Sequence, residues 1–205
     1  MRRKPWRSTI CGAPVFSLFA NKNRPFEQTR YLVIDMEMTG LDAEEDAIIS
    51  AGTVMISEGR IQLGSAEHHY FSPTSIMAED VAPTAHIHMI TDQQREREGE
   101  PLQHWLADLS GRLLADAWVF HYAQVDMPFL KINARRFGIK LPRVRVCDTV
   151  VFELQKHDRT HLESYAQLNL GSCRKRYGLP QYRQHHALSD AIGTAELWLA
   201  QNKIN

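Results

Sequence analysis

Cysteine is scarce in this chain: Cys11, Cys147 and Cys173 are its three, scattered over 205 residues with no CxxC pair. An odd, dispersed set argues against a disulfide framework and against a cysteine zinc site, and fits a reducing, cytoplasmic compartment. Long apolar runs are missing as well. The longest near the start, Ala13–Ala20, is about half of what a bilayer span requires. Basic Arg2–Arg7 ahead of that run resembles a signal peptide, but Pro14 interrupts it and no clean small-residue cleavage site follows, so neither export nor a membrane is expected. Net charge is absent too, with 24 Lys/Arg against 24 Asp/Glu, so no overall positive field draws in a polyanion. Internal repeats and low-complexity segments are lacking, which excludes solenoid architectures.

The charge that is present is unevenly placed. Seven of the 24 basic residues and one acid, Glu27, lie in 1–30, leaving 17 basic against 23 acidic residues in 31–205. This divides the chain into a basic N-terminal extension, 1–29, and one domain, 30–205, long enough to bury a core. The extension carries Pro5, Pro14 and Pro25 and no clear periodicity.

The pattern changes at Tyr31–Asp42, YLVIDMEMTGLD. An apolar-leaning start runs into Asp35 and Glu37, and residues two apart on a strand project to one face. Two adjacent carboxylates repel, and a hard divalent cation with oxygen ligands, magnesium or manganese, removes that penalty. Gly40 allows a sharp turn just beyond. Taken alone, the stretch fits equally an edge strand with two solvated acids.

Further strands are expected at Ala47–Ile56 and Arg60–Phe71, joined through the turn at Glu58-Gly59, which makes an antiparallel meander of three. A short helix and loop is expected over Ser75–Ile90, broken at Pro83, followed by a polar stretch in which Arg95–Glu98 reads as a solvated helix face. Leu102, Trp105, Leu106, Leu109 and Leu113 recur at helical spacing in Pro101–Ala115. Strands are expected at Ala117–Phe120 and Val144–Cys147. Helices are expected over Met127–Phe137 with Pro128 in the first turn, and over Thr149–Lys156, Leu168–Tyr177 and Ala187–Gln201. The sum is an α/β chain whose later strands are added by helical crossovers.

Two more segments set an acid five residues after a histidine: His121 to Asp126, beyond the fourth strand, and His185 to Asp190, opening the last helix. Four converging acids can hold two divalent ions about 3.5–4 Å apart for in-line phosphoryl displacement, with a histidine taking the proton of water. His68-His69 and His86-x-His88 lack acids or cysteines at matching spacing and read as structural or surface. Trp105 and Trp198 read as core, and Arg143 and Arg145 as a solvated edge or a phosphate contact.

Asp-x-Glu-x-Thr-Gly-Leu-Asp at 35–42, His-x-x-x-x-Asp at 121–126 and His-x-Ala-Leu-x-Asp-Ala at 185–191 together resemble the three motifs of the DEDDh 3′–5′ exonucleases. With Arg176-Tyr-Gly-Leu-Pro180 ahead of the third, the chain is most similar to the epsilon-type proofreading exonuclease of bacterial DNA polymerase III, over about 31–200. The resemblance implies a ribonuclease H-like α/β fold: a mixed five-stranded sheet, its first three strands antiparallel, flanked by helices. It implies Asp35, Glu37, Asp126 and Asp190 as ligands of two Mg2+ or Mn2+ ions, His185 as general base, and His186 as a bystander. It places Met38, Thr39, Leu41 and His121 against the 3′-terminal nucleotide. The implied activity is release of nucleoside 5′-monophosphates from DNA 3′ ends, with single-stranded DNA favoured and a DNA polymerase as partner. An exoribonuclease acting on short RNA, or a catalytically silent nucleic-acid-binding accessory domain, are the alternatives. Two departures stand out. Tyr122 and Val125 replace the Asn and Phe common in the second motif, and the tethering tail that follows the domain in epsilon subunits has no counterpart before Asn205.

Overall fold

Alternation along the first strand decides how the sheet is covered. The computed structural model describes residues 24–73, 89–111, 113–156, 165–182 and 185–203. In β1 (Tyr31–Met38), Leu32, Ile34 and Met36 face one side of the sheet, where Trp105, Leu106, Leu109, Phe129 and Leu130 cover them. Tyr31 and Val33 face the other, against Ala195 and Trp198. Asp35 and Glu37 continue that second row. Successive side chains on a strand point to opposite faces, so the two carboxylates emerge toward the helix that carries Trp198.

Strands β2 (Ile48–Ser57) and β3 (Arg60–Tyr70) complete the antiparallel meander, while β4 (Ala117–Phe120) and β5 (Arg145–Asp148) run parallel to β1, giving the order β3-β2-β1-β4-β5. This is the mixed five-stranded sheet with three antiparallel strands that the sequence implies. Helices α1 (Asp92–Glu98), α2 (Leu102–Ser110), α3 (Ala123–Arg136), α4 (Thr149–Lys156), α5 (Tyr165–Leu168), α6 (Leu170–Arg176) and α7 (Ala187–Lys203) flank it. Trp105 and Trp198 are core residues, as expected. Among the described residues no helix is long and apolar enough to cross a membrane.

Helix α7 comes very close to β2, and Gly52 is the reason. A Cβ there would lie 2.3 Å from the backbone carbon of Ala187. The absent side chain lets the first turn of α7 settle beside Asp35, the register partner of Gly52.

Four expectations are corrected. Arg95 is not on a solvated face: α1 buries it completely, and its Nε donates to the Phe71 carbonyl at 2.9 Å. Helix α3 begins at Ala123 rather than Met127, so Pro128 lies inside it instead of in the first turn. The helix expected over Leu168–Tyr177 is interrupted at Asn169, whose side chain accepts from Ser172 N–H at 2.8 Å and starts α6 afresh. Residues 24–29, assigned to the extension, lie against the domain: Phe26 packs on Tyr31 and Trp198, and Arg24 pairs with Asp116 at 2.8 Å. The helix expected over Ser75–Ile90 and the His86-x-His88 pair fall almost wholly outside the described residues, as do 1–23.

Candidate active site

Three elements deliver carboxylates to one place. The end of β1 supplies Asp35 and Glu37, and the first turn of α7 supplies Asp190, with oxygens of all three within 4.8 Å of one another. The first turn of α3 brings Asp126, buried, into the same cleft, which Met38, Leu41, His121, Tyr122 and His185 also line.

Among the described residues, these carboxylates crowd one another in a poorly solvated cleft. Loss of water and the nearby carboxylates of Asp190, Asp126 and Glu37 push Asp35 well above the usual carboxylate range. Burial, then Asp190, raises Glu37 to about 8. Burial, then Asp148, drives Asp126 up. Asp190 rises through burial, offset by the His185 N–H it accepts at 2.7 Å. A sulfur-free set of oxygens that resist ionisation together is the donor chemistry of a hard divalent cation, so these residues fit such an ion.

His185 stands exposed at the cleft, its backbone in the left-handed region at φ 66°. His121 also lines the cleft, but its ring is tied to the start of α4. Its Nδ1 hydrogen-bonds Thr149 Oγ1 at 2.7 Å, and burial lowers it to about 4, so it is a neutral wall rather than a charge. Of the residues expected at the terminal nucleotide, Met38, Leu41 and His121 line the cleft, with Leu41 83% exposed at its rim. The Thr39 side chain turns instead into its own loop, where its hydroxyl donates to Asp46 Oδ1 at 3.2 Å and accepts from Ala47 N–H at 2.9 Å. Gly40 belongs to the same packing, since a Cβ there would meet the Asp46 carboxylate at 2.3 Å.

Two sets of residues escaped sequence reasoning. Asn169 and Leu170 line the cleft; the only sequence signal is the Asn-x-x-Ser cap. Asp148, at the end of β5, accepts from the N–H groups of Tyr122 (3.3 Å), Ala123 (2.9 Å) and Val150 (2.8 Å). It thereby ties the start of α3, and with it Asp126, to the sheet. Tyr122 adopts a left-handed conformation, φ 74° and ψ 55°, which the Asn common in the second motif tolerates better than an aromatic residue.

The family model for the RNase_T exonucleases matches residues 32–198. The chain belongs to the exonuclease family. Among relatives of this exonuclease is the PolC-type DNA polymerase III of Staphylococcus haemolyticus, 27% identical over 191 residues, which are 92% of this chain and 12% of that one. That of Thermotoga petrophila is 29% identical over 175 residues, 85% and 12% of the two chains. The exonuclease thus spans about an eighth of the length of these relatives. Its fold matches Escherichia coli exonuclease I solved with single-stranded DNA, at TM-score 0.72 and 16% identity over 86% of this chain and 41% of that one. It also matches the nuclease domain of 3′hExo, a DEDDh family member bound to rAMP, at TM-score 0.69 and 15% identity over 89% and 96%.

Proposed function

We propose that this exonuclease hydrolyses the 3′-terminal phosphodiester of DNA, releasing nucleoside 5′-monophosphates one at a time. The observation that carries the reading is the meeting of the Asp35, Glu37 and Asp190 carboxylates within 4.8 Å in a cleft that His185 and Asp126 also line. A binding module has no use for clustered acids that repel phosphate.

Asp35, Glu37, Asp126 and Asp190 would hold two divalent ions, Mg2+ or Mn2+. Bound there, the ions supply the positive charge that offsets the phosphodiester and acidifies water. His185 accepts the proton of the attacking water on its imidazole. The water oxygen bonds to phosphorus as the bond to the 3′-oxygen breaks. The products are a nucleoside 5′-monophosphate and a chain shortened by one residue with a new 3′-hydroxyl. The Met38 and Leu41 side chains and the neutral face of His121 seat the terminal nucleoside, and apolar contact of this kind reads little sequence.

The names of the relatives, PolC-type DNA polymerases, support DNA as substrate, action alongside a DNA polymerase, and a cytoplasmic setting. The 3′hExo domain bound to rAMP supports a second reading, an exoribonuclease acting on short RNA. Matched 5′-labelled DNA and RNA oligonucleotides, single-stranded and duplex, separate them. Stepwise shortening of single-stranded DNA from the 3′ end, faster than that of RNA, is expected. Faster shortening of RNA selects the second reading, and full-length product throughout contradicts both.

A further inference from the structure

Beside the acidic cleft lies a second recess, separate in its chemistry and unused by the hydrolytic account. His68, Tyr70, His186, Met89 and Gln94 line it, and His185 borders both it and the acidic cleft. Carboxylates crowd the cleft; among the described residues, none lines the recess.

Three rings form its wall. His68 meets Tyr70 edge-on at 4.5 Å between centroids and meets His186 at 4.5 Å with the planes tilted by 37°. Ser50 Oγ holds the His68 Nε2 at 2.8 Å, so this ring is fixed from the sheet side. Burial and the neighbouring imidazoles of His186 and His69 lower His68 to about 4, which leaves it uncharged near neutral pH. An uncharged ring presents a π face rather than a phosphate-binding charge. His186 is exposed, and Met89, 62% exposed, adds a polarisable thioether. Aromatic faces beside a nucleic-acid path are platforms for unpaired bases, whatever their identity.

We propose that this recess is a stacking subsite for the base adjacent to the nucleotide being removed, with His186 as the platform and His68 and Tyr70 as its backing. The proposal rests on the exonuclease reading above, because the bordering residue His185 is what places the recess one step along the strand from the scissile bond. It gives His186 a positioning role in holding the strand, in place of the bystander role that the resemblance implies.

The test uses the full chain with single-stranded DNA nonamers, intact or with one abasic residue second or third from the 3′ end. His186→Ala is expected to raise KM on the order of 10-fold while kcat changes by less than about 2-fold, and His186→Phe, which keeps a π face, to restore most of the loss. In the wild type an abasic residue at the second position is expected to cost a similar factor, and His186→Ala to add nothing further. The proposal is overturned if the wild type is indifferent to the abasic residue, or if the two losses multiply. Thermal melting of both variants checks the fold, and exposure of His186 keeps that risk small. Hydrolysis of p-nitrophenyl thymidine 5′-monophosphate by the wild type reports on the catalytic reading separately. Should nothing be hydrolysed, fluorescence anisotropy of the labelled nonamers still decides: coupled losses in Kd support the subsite, and an unchanged Kd for His186→Ala removes it.

Discussion

The Asp190 carboxylate accepts the backbone N–H of His185 at 2.7 Å, so an acid of the cluster and the exposed histidine of the cleft are held by one contact across five residues. His185 makes that contact from a left-handed backbone conformation, φ 66°.

In the proposed role His185 acts through its ring, whereas its contact with Asp190 is made through its backbone, so truncating the ring leaves the cluster in place. His185→Ala is expected to lower kcat by on the order of 10²-fold or more with the melting temperature little changed. His186→Ala affects KM instead. Single-turnover rates with saturating DNA distinguish the two.

Gly52 admits the start of α7 against β2, and a methyl there meets backbone atoms of Ala187 and Leu188 at 2.3 Å, which cannot swing away as a side chain can. Gly52→Ala is expected to destabilise the protein by about 3 kcal/mol or more and to lower activity by moving Asp190 and His185 together. Urea unfolding and the rate of 3′ shortening check the pair.

Asp148 caps the start of α3 with hydrogen bonds from Tyr122 and Ala123. Asp148→Ala leaves those donors without their acceptor and is expected to cost roughly 2–3 kcal/mol. Because Asp126 rides on the same turn, the concentration of metal needed for half-maximal activity is expected to rise as well.

Without metal, Glu37 is held up at about 8 against an ordinary value near 4.3. The folded protein then keeps a proton that the unfolded chain gives up. Its contribution to stability is complete at acid pH, below the unfolded value, and is lost as pH rises toward 8. In chelator, the melting temperature is expected to fall from pH 5 to 8 by more in the wild type than in Glu37→Gln. Added Mg2+ or Mn2+ is expected to raise it most at the alkaline end, since binding displaces protons.

Alternation and the three spaced motifs made the sheet and the acids legible, because strand faces and helix first turns are short-range properties. Arg95 was not legible: its burial depends on the Phe71 carbonyl 24 residues away, although Thr91-x-x-Gln94 carries the capping signal of α1, with Thr91 Oγ1 accepting from Gln94 N–H at 3.2 Å. Asp148 was not legible either, since the donors it serves come from the distant β4–α3 turn. His68 and His186 lie far apart in the chain and meet where the start of α7 approaches Gly52, the register partner of His68. The Thr39 hydroxyl serves its own loop, bonded to Asp46 and Ala47, a pairing that depends on where the turn after Gly40 brings Asp46.

The most direct measurement is the rate of 3′ shortening of 5′-labelled single-stranded DNA against Mg2+ or Mn2+ concentration, for the wild type and Asp190→Ala. No shortening is expected in chelator, a metal-dependent ladder of products one nucleotide apart for the wild type, and loss of that ladder on the order of 10³-fold in the variant. Equal activity in Asp190→Ala, or a wild type that leaves DNA at full length at every metal concentration, would contradict the exonuclease reading.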